Sequence, residues 1–184
     1  SPLPVVMVSS KRKDEKPNII TIAWAGTVCT NPPMVSISIT KSRYSYDIIS
    51  ETKEFVINLV TKNICKETDF CGVKSGRDID KFKETGLTAI ESKFVAAPSI
   101  SESPVNIECR VKQIVELGSH TMFIAEVLGV TIENNHMNSD DKFELNKLGL
   151  VAYSHGEYHL VGEKLGKFGF SVEKKKTRKS KNTR

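Results

Sequence analysis

Residues 105–117 and 121–133 are two long runs rich in Val, Ile, Thr and Phe, joined by Gly118-Ser119-His120. A glycine turn between two β-prone runs is the signature of a hairpin. Strands of this length need partners along their whole edge, or a cover over it. The chain is therefore constrained to an antiparallel, strand-dominated architecture.

The rest of the sequence adds short elements around that hairpin. Strands are expected at residues 5–8, 18–25, 34–40, 54–60, 148–153 and 158–161. The clearest is the run at 34–40, where Val35, Ile37 and Ile39 alternate with Ser36, Ser38 and Thr40, the period-two pattern of a half-buried strand. Residues 26–33 are expected to be a loop, because Pro32 and Pro33 interrupt a ladder. Short helices are expected at 44–52, at 61–70 with Gly72 as its stop, and at 78–85 with Asp78 as N-cap and Gly86 at the exit. The pattern reads as mainly β with short helices at the rim of an antiparallel barrel.

The 184 residues suit one domain, at 1–172, followed by a tail at 173–184. The formal charge of +5 belongs to that tail, which carries seven Lys or Arg against Glu173. The remainder holds 20 basic and 21 acidic side chains and is nearly neutral. The tail has no apolar periodicity and is expected to be disordered. No nucleic-acid module is visible outside it, since the aromatics do not interleave with basic residues. No apolar run approaches the roughly 20 residues that span a bilayer. The four cysteines (29, 65, 71 and 109) and four histidines show no zinc-ligand spacing. Cys71 reads as a packed thiol. With no export leader visible, free cysteines suit a reducing cytoplasm.

Residues 41–45, KSRYS, follow the alternating strand and open a helix. Two cations and two hydroxyls at a helix N-terminus are what a phosphate needs, because the first-turn N–H groups are unpaired and carry partial positive charge. An ordinary capped helix with solvated charges would look the same at this level.

The blocks TIAWAGTVCTNPPMVSISI, KSRYSYDII and EFVINL are followed in order by FCGVKSGRDIDKFKETGLT, SPVNIEC and GSHTMFIAEV. Together they resemble the flavin reductase-like family, of flavoredoxin type, over roughly residues 4–170. That resemblance implies the antiparallel split β-barrel that binds FMN. It also implies that Thr27, Val28, Cys29 and Thr30 lie along the flavin ring, with Gly26 allowing close approach. Ser42, Arg43 and Ser45 would take the phosphate, with Lys41 as more distant charge. Ser75 and Gly76 belong to a second ligand-facing stretch, with Lys81 as a charged contact one turn into its helix. His120 is the catalytic candidate, near flavin or nicotinamide. Ser119 stands where many relatives have Asp, which leaves the imidazole tautomer open.

The function that the resemblance implies is an FMN-dependent oxidoreductase, with NADH, NADPH or an electron-carrier protein as donor, acting as a cytoplasmic homodimer. Two alternatives stay open. One is an FMN carrier that moves electrons without catalysis. The other is a flavin-free protein working through its basic tail. No Gly-rich dinucleotide fingerprint is present, and no serine sits in a hydrolase elbow.

Overall fold

The computed structural model describes residues 1–133 and 136–173, so most of the basic tail lies outside the described residues. In chain order the strands and α-helices are β1 (Leu3–Pro4), β2 (Val6–Ser10), β3 (Asn18–Ile22), β4 (Ala25–Thr30), β5 (Pro33–Thr40), α1 (Tyr44–Thr52), β6 (Glu54–Leu59), α2 (Cys65–Val73), α3 (Lys81–Thr85), β7 (Ala89–Ile90), β8 (Ser99–Ile100), β9 (Val105–Leu117), β10 (His120–Ile132), β11 (Val151–Ser154) and β12 (Glu157–Leu160).

Seven strands make one antiparallel sheet in the order β3-β2-β6-β9-β10-β5-β4. It wraps around a single core, because Ile20 of β3, Val6 and Val8 of β2, Phe55 of β6, Phe123 of β10 and Val35, Ile37 and Ile39 of β5 pack together. The sheet does not close. Among the described residues β3 pairs only with β2, and β4 only with β5. This is the expected split barrel. The β9–β10 hairpin is its longest pairing, with register His120↔Leu117 through Ile132↔Val105. Its turn is tighter than the sequence suggests, because His120 already belongs to β10. Gly118, at a φ of 70°, takes the first turn position, a backbone shape that side chains with a Cβ disfavour.

A second core lies outside the sheet. Val5, Met7 and Ile19 point away from the barrel interior and pack with Ile64, Cys71, Phe82, Leu87, Ile100 and Val151. β2 is thus buried on both faces, which explains why Val6, Met7 and Val8 follow one another without alternation. Cys71 is buried here, in the packed role expected for it.

Several boundaries differ from those read in sequence. Residues 26–33 are not a loop: β4 runs from Ala25 and turns at Asn31-Pro32 into β5. Pro33 is the first residue of β5, where a missing N–H is tolerated. The helix expected at 61–70 is a 3-10 turn, Lys62–Ile64, running into α2. Gly72 lies inside α2 rather than ending it. A Cβ there would meet Thr21 Cβ at 3.2 Å, so glycine sets how near α2 sits to β3. The cap of α3 is Asp80 and not Asp78: its carboxylate accepts from the Lys83 N–H at 3.2 Å. Gly86 ends that helix as expected, at a φ of 73°. The short β7–β8 pair has no period-two signal in the sequence and emerges only in the fold.

Candidate functional site

The open edge of β3 faces the end of β5, and two joined cavities occupy the gap. The first, about 200 Å³, is lined by residues 20–24, by Ser38, Ile39 and Thr40 of β5, and by Arg43 and His120. The second, about 280 Å³, shares Ile20, Thr40 and Arg43 with it and runs on to Ser42, Ser45, Lys74, Ser75, Gly76 and Lys81. The β4–β5 ladder stops at Ala25↔Ile37, with one further bond from the Ser38 N–H to the Trp24 carbonyl (2.9 Å). Past that point β5 keeps, among the described residues, only its β10 partner, so backbone groups of Ile39 and Thr40 border the gap.

The second cavity is strongly cationic. Arg43, Lys74 and Lys81 line it, and among the described residues no Asp or Glu does. Lys81 is 3 % exposed. Its ammonium donates to the carbonyls of Ile19 (2.8 Å) and Cys71 (2.6 Å). Burial, with the nearby Arg43 charge adding to it, lowers its pKa from 10.5 to about 8. A buried cation held only by carbonyls is costly unless an anion joins it. Arg43 is the residue before α1, and no side chain caps that helix. The Tyr46 N–H donates to the Arg43 carbonyl (3.0 Å), which leaves the Tyr44 and Ser45 N–H groups of the first turn for an anion. Among the described residues the Arg43 guanidinium has one bond, to the Gly72 carbonyl at 3.3 Å.

Residues 74–80 are pinned against α1 by Arg77, which donates to the Ser42 carbonyl (2.8 Å) and to Asp47 (2.7 Å). Gly76 packs on Asn18: a Cβ at Gly76 would lie 1.9 Å from Asn18 Oδ1. Asn18 donates to Ser45 Oγ at 2.8 Å, and both side chains are buried. Ser75 Oγ accepts from the Arg77 N–H.

The first cavity has a different character. Trp24 and His120 stack at a centroid distance of 4.3 Å and an angle of 36°. Trp24 is 54 % exposed. Ser119 Oγ lies 3.0 Å from His120 Nδ1, so serine serves the ring nitrogen at the position where the resemblance leads one to expect Asp. That contact leaves Nε2 for a ligand.

The sequence-predicted residues divide into two groups. Ser42, Arg43, Ser45, Ser75, Gly76 and Lys81 converge on one cavity, and His120 lines its neighbour. Lys81 is the first residue of α3 rather than one turn in, and it is buried rather than solvated. Lys41 is engaged by Glu116 and lines neither cavity. Thr27, Val28, Cys29 and Thr30 lie on β4, the edge strand, and line neither cavity. A register shift between Thr27 and Cys29 leaves Val28 without a partner residue on β5 and 51 % exposed. Trp24, Lys74, Asn18 and Arg77 join the site without having been singled out by sequence. For Trp24 a signal exists: it is the chain's one tryptophan, near a glycine at a strand end.

A flavin reductase like domain model matches residues 1–161. An uncharacterised protein of Archaeoglobus fulgidus is 40% identical over 117 residues, 64% of this chain and 66% of that protein. Flavoredoxin of Desulfovibrio vulgaris (Miyazaki F) superposes with a TM-score of 0.87 at 33% identity, over 94% of this chain and 93% of that one. Flavoredoxin from Methanosarcina acetivorans gives 0.84 at 28% identity, with the same coverage of 94% and 93%. These likenesses place the chain in flavin-related redox function. With the domain match spanning most of its length, the chain belongs to the flavin reductase-like family.

Proposed function

We propose that this protein holds FMN and passes electrons through it. One observation carries the reading: a carboxylate-free cavity with Arg43, Lys74, buried Lys81 and the open N-terminus of α1 leads directly into the Trp24–His120 cavity. A phosphate monoester suits the first environment and a flat ring suits the second. The donor set fits the cofactor on its own chemistry, since Lys81 lacks the anion that its burial calls for.

In this reading Arg43 binds phosphate oxygens through its fork. The Ser42 and Ser75 hydroxyls add hydrogen bonds, and Lys81 supplies charge from beneath. The Tyr44 and Ser45 N–H groups at the start of α1 complete the cradle. Trp24 walls the ring end and His120 presents Nε2 there. Thr27, Val28, Cys29 and Thr30, beyond the Trp24 corner, supply the ring contacts that the resemblance implies. When bound, the flavin supplies the hydride- and electron-accepting chemistry at N5. NADH, NADPH or an electron-carrier protein is the donor. The same reading carries a cytoplasmic homodimer, whose assembly light scattering of the purified protein would test.

The experiment is a titration of flavin-free protein with FMN and with riboflavin. FMN should bind about a hundredfold more tightly, the worth of two charge-assisted hydrogen bonds. Arg43→Ala should remove most of that preference. Anaerobic NADH or NADPH is then added to the FMN complex. Bleaching supports a reductase. A spectrum moved only by dithionite supports an electron-transfer protein fed by a carrier. Failure to bind FMN overturns the proposal.

A further inference from the structure

Residues 162–173 follow β12 and stand apart from both cores. None of them enters a buried cluster of the fold. Among the described residues, their hydrogen bonds and ion pairs stay within the segment. The Phe170 N–H donates to the Lys167 carbonyl (3.0 Å), the Val172 N–H donates to the Gly169 carbonyl (3.1 Å), and Lys167 pairs with Glu173. A stretch this detached is expected to be polar, and it is not. Leu165 is 93 % exposed, Val172 is 82 % exposed and Phe168 is wholly exposed. Leu160, Val161 and Phe170 are each more than half exposed. Exposed apolar side chains are ordinary one at a time, but a run of them marks an interaction surface.

The apolar run is joined to strong charge. Residues 174–184 carry seven Lys or Arg and no Asp or Glu, and Lys174 is two positions from Val172. The two features together select among occupants. A second copy of the chain offers apolar surface but no matching charge, because residues 1–172 hold 20 basic and 21 acidic side chains. A nucleic acid matches the charge and can stack a base on an aromatic ring, but it offers nothing to Leu165 and Val172. A bilayer with anionic headgroups meets both needs: apolar side chains enter the acyl boundary, and Lys and Arg lie over the negative surface. Residues 162–173 are too few to cross a bilayer, which takes roughly 20 in a helix, so they would lie in the interface.

We propose that residues 160–184 dock this protein on an anionic phospholipid surface, with Leu165, Phe168 and Val172 in the acyl boundary and the basic cluster over the headgroups. One apolar segment alone gives weak, reversible membrane binding, and a polybasic stretch beside it supplies the second signal that stable attachment requires. The proposal is independent of the flavin site.

The test mixes the full chain with sedimentable vesicles of phosphatidylglycerol and phosphatidylcholine in equal parts, and with vesicles of phosphatidylcholine alone. The mixed vesicles should bind at least about a hundredfold more tightly, the contribution of three basic residues at about fivefold each. Salt at about 0.5 M should release much of the protein. Lys174→Gln, Lys175→Gln and Lys176→Gln combined should lose about a hundredfold. Leu165→Ser combined with Phe168→Ser should weaken binding to the mixed vesicles about tenfold or more. Both side chains are exposed, so the melting temperature should stay unchanged. Absence of binding to the mixed vesicles would overturn the proposal, as would undiminished binding by the Leu165 and Phe168 double variant. A fall from dimer to monomer in light scattering of that variant would assign the apolar run to a second copy and overturn it too. Tighter binding to duplex DNA than to the mixed vesicles at equal salt would do the same in favour of nucleic acid.

Discussion

Lys81 is the residue on which the site's electrostatics turn. Its pKa is about 8 in the folded chain against an ordinary 10.5. Between those values the unfolded chain holds a proton that the folded one has lost. The ligand-free fold therefore gains stability as pH rises from about 8 to 10.5, and below 8 it bears the full penalty of the buried charge. A bound anion reverses the preference by favouring the ammonium. Phosphate monoesters are already dianionic above about pH 7. FMN affinity should then hold level to about pH 8 and fall above it, by up to about tenfold per pH unit for one linked proton. A titration series from about pH 6.5 to about pH 10 checks this, and Lys81→Met should flatten the profile while weakening binding throughout. Gly76 is the second residue with a sharp expectation. Its missing side chain is what lets residues 74–80 lie on Asn18. Gly76→Ala should destabilise the protein by about 1–3 kcal/mol through overpacking, read by thermal melting, and should weaken FMN more than riboflavin. The family resemblance marks both residues as ligand-facing. It does not reveal that Lys81 is buried, because burial comes from β3 and α2 closing over it.

At the scale of elements, strands and helices are legible where they carry their own signal. The alternation in β5, the glycine turn of the β9–β10 hairpin and the Gly86 exit of α3 all follow from local chemistry. The departures share a cause: one local signal has two uses. Pro32-Pro33 stops a ladder or turns a hairpin, and here Asn31-Pro32 makes the turn while Pro33 enters β5. Asp78 and Asp80 are both competent caps, and the structure uses the second. Asp80→Ala should cost about 1 kcal/mol, a typical N-cap loss. Because α3 begins at Lys81, the loss should also weaken FMN binding by a small factor. Denaturant unfolding with a parallel FMN titration checks both. Glycine ends many helices, so Gly72 reads as a stop in sequence, and only packing against Thr21 reveals its role.

Across the whole molecule, the barrel core and the outer core share β2, whose residues are buried on both faces. The two cores should therefore unfold together. Phe123 is fully buried in the barrel core, and Phe123→Ala should cost about 3–5 kcal/mol. Calorimetry should show one transition moved down, and not a new early one. The cavities depend on this same global arrangement, because the sheet wraps far enough to bring β3 opposite the end of β5 yet leaves the two unpaired with each other. Local sequence is enough for the antiparallel class, most of the strands along the chain, the family resemblance and the cluster at 41–45. Those depend on side-chain periodicity, turn residues and local charge, all carried by neighbours in the chain. Three-dimensional folding is needed before Lys81, Arg43 and Lys74 share a cavity without a carboxylate, Trp24 stacks on His120, and Tyr158 reaches Asp69. Each of those contacts joins segments far apart in the chain, and their meeting is set by how the sheet curls and where it stops short of closing.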